Sequence, residues 1–261
     1  MNRLTGLALL LVFGWMCGCQ QPLERQTCRP LQVESGGVRA DWYYRDRSEQ
    51  PRAVQVFDSA GQLLRSTVFR YAGSLLVEQE TQATGGQLLE RVRLGYDASG
   101  RVRLRERWPQ RSGNFDESHA REQRGYDEAG RLSQRNWQIG PEGASYTAHT
   151  EFLTYDETGR LASSSFHTGF QMTTEGLMYR SHYEWTAIPN VLGALWSNDP
   201  TWALVDRLPA RVVSFFRDGR IDSTASYVFN YQLNDRGLPV EVEKKAFRGP
   251  AHQWRLTYSC R

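Results

Sequence analysis

The sequence predicts an all-β protein: an antiparallel meander rolled into a soluble barrel or half-barrel, with a short helical insert near residues 188–208. Three observations carry this. One turn unit keeps returning, the segments between turns alternate in polarity, and the last two cysteines stand at opposite ends of the chain. The unit is Tyr126-Asp127-Glu128-Ala129-Gly130-Arg131-Leu132, repeated as Tyr96 to Val102 and Tyr155 to Leu161. Looser copies run from Phe57 to Leu63 and from Leu233 to Leu238. Asp opens a type I turn by accepting backbone hydrogen bonds, two undemanding residues cross it, and Gly takes the left-handed position. Tyr and the Leu or Val that follows then face each other across the ladder.

Taken in order, residues 1–19 read as a processing segment. Arg3 gives the basic start and Leu7 to Trp15 the apolar run, too short to favour a spanning helix. Met16-Cys17-Gly18-Cys19 then resembles a bacterial lipoprotein signal, in which a small residue precedes the lipid-bearing cysteine. Gly18 before Cys19 fits that rule and Met16 before Cys17 does not, so Cys19 is the expected acylation site. An ordinary secretory leader cut nearby is the alternative. Gln20 and Gln21 follow, with no Asp and no acidic cluster, which by resemblance to sorting patterns favours the periplasmic leaflet of an outer membrane. Residues 20–30 read as a tether, and residues 31–261 as a single β domain of roughly fifteen strands.

In that domain Gly37 to Arg45 pairs with Arg52 to Phe57, and Leu63 to Tyr71 turns at Ala72-Gly73 into Leu75 to Gln82. Gly85-Gly86 makes the next hairpin and sets Glu80 against Arg91 and Glu78 against Arg93. Carrying that register through the following turn sets Leu94 against Leu104, Arg93 against Arg105 and Arg91 against Arg107. Residues 117–139 are polar even on the nominally inner face, at Ala120, Glu122 and Arg124. Towards the C-terminus Tyr227, Phe229 and Tyr231, Val240 and Val242, and Trp254, Leu256, Tyr258 and Cys260 alternate with polar neighbours, as in a sheet with one wet side. No strand supplies the apolar outer band of a membrane-spanning barrel. Ile188 to Leu208 breaks the alternation. Asp199-Pro200 reads there as a helix start, with Trp196 and Trp202 as anchors.

Cys28 and Cys260 are expected to form a disulfide, since an oxidising compartment favours a bridge over two free thiols. Joined ends in a strand-to-neighbour sheet mean that the sheet curls back on itself.

Two resemblances enter with these residues. Tyr-Asp-x-x-Gly-Arg-Leu resembles the YD repeats of Rhs-type proteins, whose hairpins join into a long spiralling sheet; an Rhs shell needs far more copies. The leader, the YD-like hairpins, the Asn-x-Leu in the apolar insert and Leu208-Pro209-Ala210-Arg211-Val212 together resemble a family of Bacteroidota lipoproteins with a porin-like fold. In that family a strand and a turn of the form Tyr/Asp-Gly-x-Pro follow, matched here by Tyr231 to Pro239. This chain departs from the family in its abundance of arginine; Lys244 and Lys245 are its lysines. The resemblance implies fold and address and transfers no catalytic residue.

The chemistry is sparse. The formal charge is +3, too small to imply a nucleic-acid partner, and a GC-rich genome explains arginine in place of lysine. A mean hydropathy of −0.60 with 12% aromatics describes a polar chain with large anchors. The register above gathers Arg91, Arg93, Arg101, Arg103, Arg105 and Arg107 on one face. Either they form a solvated, screened surface, or they bind anionic groups such as the phosphates of lipopolysaccharide or an acidic polysaccharide. Trp42, Tyr43, Tyr44, Trp108, Trp137, Tyr183 and Trp185 fit sheet core better than a sugar platform. His119, His149, His167, His182 and His252 are scattered and read as surface or strand residues. No serine elbow, HExxH, phosphate loop or paired-carboxylate motif occurs, so no catalytic residue, metal ligand or cofactor is assigned. The expected role is a lipid-anchored envelope binding or interaction module, with an envelope protein as possible partner. The alternative is a carrier holding an apolar or glycan ligand inside the rolled sheet.

Overall fold

The computed structural model describes residues 28–45, 50–109, 119–140, 146–169, 175–190 and 206–260. The leader with Cys19 and the core of the apolar insert, including Trp196 and Trp202, lie outside the described residues. Among the described residues sixteen strands follow one another. The first eight are β1 (Cys28–Ser35), β2 (Val38–Tyr44), β3 (Pro51–Phe57), β4 (Leu63–Ala72), β5 (Leu75–Ala83), β6 (Leu88–Tyr96), β7 (Val102–Pro109) and β8 (His119–Tyr126). The rest are β9 (Leu132–Gly140), β10 (Tyr146–Tyr155), β11 (Leu161–Thr168), β12 (Leu177–Pro189), β13 (Arg207–Phe216), β14 (Tyr227–Leu233), β15 (Pro239–Ala246) and β16 (Ala251–Cys260). Each pairs antiparallel with its neighbours in sequence, and β1 pairs with β16, so the barrel is closed. Closure leaves no free edge. At the seam Cys28 and Cys260 are directly opposed and joined by a disulfide.

The Tyr-Asp-x-x-Gly turns form as the sequence predicts. Asp127 Oδ1 accepts from the Arg131 amide at 2.8 Å and the Gly130 amide donates to the Asp127 carbonyl at 2.9 Å. Gly100, Gly130 and Gly159 have φ of 75°, 78° and 81°, a region that costs a residue with a Cβ about 1–2 kcal/mol. Tyr96, Tyr126 and Tyr155 face Val102, Leu132 and Leu161.

A β-bulge follows each of these turns, and it overturns the continuous register expected from the sequence. Tyr96 faces Val102, but the next rung pairs Gly95 with Leu104 and skips Arg103. Beyond the bulge Leu94 faces Arg105, Arg93 faces Glu106 and Arg91 faces Trp108. One extra residue on one strand moves every later side chain to the opposite face. The earlier hairpin keeps its expected register, with Glu78 against Arg93 and Glu80 against Arg91.

The inner wall holds three apolar clusters. Leu208, Val212, Phe229, Val242 and Leu256 form the largest, with Val33 packed against it. Trp42, Val54 and Phe69 form the second, and Leu132, Leu153 and Leu161 the third. Burying each such side chain is worth roughly 1.5–3 kcal/mol. Many outward positions are charged or polar, as at Glu78, Arg93, Glu106 and Arg121 on one side and Asn230, Glu241, Glu243 and Arg255 on another, with Tyr43, Val68 and Val228 as scattered apolar exceptions. Such a wall does not match the apolar band, about 25 Å tall, of barrels that face lipid.

Candidate functional site

The bulge after Asp97 divides the six arginines. Arg91 and Arg93 point outward, where Arg91 Nε and Nη2 reach Glu80 Oε1 at 2.9 and 2.6 Å and Arg93 Nε reaches Glu78 Oε2 at 3.0 Å. Arg70 also binds both carboxylates. Arg105 and Arg107 fall on the inner side, Arg107 against Glu90 and Arg105 beside Glu122. Arg103 occupies the bulge. Arg101 stays in its turn, bonded to Asp97 Oδ2 at 2.8 Å and lying 4.5 Å from the centre of the Tyr126 ring. No single face presents all six, and an anion outside would have to displace Glu78 and Glu80 from theirs.

The same bulge adds Arg105 to an inner wall that already carries charge on β8 to β10. Arg105 faces Glu122, Glu122 faces Trp137, and Arg135 faces Glu151. Arg124 Nε donates to Glu122 Oε1 at 2.8 Å, and Arg135 forms an ion pair with Glu151. All four of Glu122, Arg124, Arg135 and Glu151 are buried, Glu122 to 2% exposure. Glu122 Oε2 has no hydrogen-bond partner, and Arg105 Nη1 lies 3.9 Å from it. Burial weakens the Arg105 guanidinium's hold on its proton, and Glu122 opposes that.

Arg105, Glu122, Arg135, Trp137 and Glu151 line a cavity of about 420 Å³. Its other walls are aromatic and hydroxylic. Phe166 stacks on Tyr179, with centroids 4.8 Å apart and planes 9° off parallel, and Trp137 tilts against Phe166 at 5.5 Å. Ser181 Oγ and Ser214 Oγ are hydrogen-bonded at 2.9 Å, and Ser164 Oγ meets the Tyr183 hydroxyl at 3.0 Å. Burial pushes the Tyr183 phenol well above its usual value, so it stays protonated. Tyr179 (38% exposed) and Phe216 (45%), paired across β12 and β13, carry the aromatic surface out towards solvent. A hollow of about 560 Å³ outside the wall, between the β1–β2 and β3–β4 turns, has no buried charged group in its lining.

The sequence places Trp137 and Tyr183 in the sheet core and Glu122 and Arg124 on the inner face, but does not show that Glu122, Trp137 and Tyr183 line one cavity. It also missed two buried histidines: His119 (5% exposed) stacks on Trp108, and His167 is 2% exposed. Among the described residues no group of three His, Cys, Asp or Glu side chains could hold a metal ion.

The described strands thus form a closed, sixteen-stranded antiparallel barrel with a mixed aromatic and charged interior. A porin-like protein from Bacteroides vulgatus shares the fold, at a TM-score of 0.57 and 15% identity over 88% of this chain and 99% of that one. A porin-like protein from Bacteroides uniformis is similar at 0.48 and 10% identity, over 88% and 96%. The Tc holotoxin pore of Photorhabdus luminescens is similar at 0.34 and 14%, over 81% of this chain and 12% of that one. The last two are too distant to bear on the fold. No protein-family model and no curated protein matches the chain.

Proposed function

We propose that this is a lipoprotein held by Cys19 on the periplasmic side of an outer membrane, and that it binds a ligand inside its barrel without transforming it. The supporting observation is the inner cavity, where a buried carboxylate with a spare oxygen stands beside stacked aromatic rings. A close-packed interior would instead have favoured a module that works through its outer face. A docking role for that face with an envelope protein is the second reading. The Arg70, Glu78, Glu80, Arg91 and Arg93 network favours it, because it holds several charged side chains in fixed positions there. Binding of lipopolysaccharide by the arginines is not carried forward, since they are divided between two faces and already paired with carboxylates.

Native mass spectrometry of the protein extracted from its own envelope in mild detergent tests the proposal. The expected result is a lipidated chain carrying a small-molecule adduct that is lost in Trp137→Ala. A bare chain, or one that travels only with another protein, overturns lumen binding. Retention of Cys19→Ser in the membrane fraction overturns the anchor.

A further inference from the structure

The lining of the cavity restricts what it can take. Its lining carries two guanidiniums and two carboxylates, Arg135 with Glu151 and Arg105 with Glu122, while Arg124 holds Glu122 Oε1 from outside the lining. The site therefore offers no surplus positive charge to a phosphate, carboxylate or sulfate, and an acidic ligand would have to break an existing pair. An acyl chain fares no better. It would strip water from the ionised groups and from Ser181 and Ser214 while returning no hydrogen bond. The aromatic wall and the spare acceptor ask instead for a molecule with flat apolar faces and a rim of neutral hydroxyl groups.

We propose that the cavity is a binding site for a neutral oligosaccharide, with a sugar ring against the Trp137, Phe166 and Tyr179 wall and a hydroxyl donating to Glu122 Oε2. The inference rests on lumen binding and names its ligand class. Axial C–H bonds of a hexose pack on an aromatic face, while its equatorial hydroxyls reach sideways to carboxylate and serine oxygens. Glu122 meets the second need, being a buried residue of the cavity lining whose Oε2 has no hydrogen-bond partner. The aromatic surface continues to Phe216 at the exposed end of β13, so further sugar units of a linear chain can lie along the wall towards solvent.

Isothermal titration of the full chain, with tryptophan fluorescence as a second readout, tests this. The probes are neutral linear oligosaccharides of glucose, mannose, xylose and N-acetylglucosamine, set beside an oligogalacturonate and palmitate. A neutral oligosaccharide is expected to bind. Tyr179→Ala, at a half-exposed position, should weaken it by about tenfold, the equivalent of one lost ring contact. Tyr43→Ala, exposed on the outer face, should leave affinity unchanged. Binding of palmitate or oligogalacturonate alone, abolished by Tyr179→Ala, overturns the neutral-sugar assignment and leaves lumen binding in place. The absence of any neutral-sugar binding, or neutral-sugar binding insensitive to Tyr179→Ala at an unchanged melting temperature, overturns the assignment.

Discussion

The Tyr126 hydroxyl donates a 2.6 Å hydrogen bond to the main-chain carbonyl of Val102, the first residue of the neighbouring strand. The relationship recurs around the whole barrel. Tyr44, Tyr71, Tyr96, Tyr155, Tyr231 and Tyr258 donate to Pro30, Pro51, Leu76, Leu132, Pro209 and Pro239, and the Trp185 indole donates to Leu161. Eight aromatic donors, one per hairpin, thus tie the strands together at the end where the Tyr-Asp-x-x-Gly turns lie. Tyr126→Phe is expected to destabilise the protein by about 1 kcal/mol, because a partly buried carbonyl loses its partner while the ring still packs. The midpoint of urea unfolding should fall with no change in slope.

These phenols also set the alkaline limit of stability. Burial raises Tyr44 and Tyr155 to about 12, from an ordinary value of 10.0. The unfolded chain releases those protons first, so their contribution is complete below pH 10 and is lost as pH rises from 10 to about 12. In an alkaline titration phenolate absorbance should therefore appear together with loss of the β-sheet circular dichroism signal. Phenolate formation well before that loss would contradict the girdle.

Gly130→Ala is expected to cost about 1–2 kcal/mol for the left-handed backbone alone. At Gly130 the new Cβ would also meet Arg101 Nη1 at 3.3 Å, whereas at Gly100 it would meet nothing within 4 Å. Thermal melts should place Gly130→Ala at or below Gly100→Ala.

Removing the Cys28–Cys260 bond, which spans 232 residues, should lower stability by up to about 5 kcal/mol in the chain-entropy model. Hydrogen exchange should quicken first in β1 and β16, because the bond sits at their shared end.

For the buried Arg135–Glu151 pair, Glu151→Leu alone should cost about 3–5 kcal/mol by stranding a charge, and the double variant Arg135→Met/Glu151→Leu should recover part of that. Chemical denaturation of the two variants makes the comparison.

The turns, the meander and the closure were legible because each rests on local chemistry: Asp and Gly in fixed places, alternation along a strand, and two cysteines with no other partner. The bulges were not. Nothing in Arg101-Val102-Arg103-Leu104 marks Arg103 as the residue the ladder skips, yet that skip sends Arg105 inward and leaves Arg93 outside. The cavity inherits the difficulty, since placing Glu122, Glu151 and Tyr179 on one wall requires every intervening register to be right. The repeat's arginine was visible but its purpose was not. Arg101 and Arg131 lie over Tyr126 and Tyr155, each the tyrosine of the next repeat, a contact between hairpins rather than within one.

Every ladder except one joins strands that are consecutive in the chain. Fifteen of them can zip up as the polypeptide lengthens, each across a connection far shorter than the whole chain and so at a smaller entropic cost. The sixteenth waits until β16 exists and must find β1 across the whole molecule. Assembly should therefore pause at an open, curved sheet, and the slow step that ends the pause should coincide with the arrival of Cys260 beside Cys28.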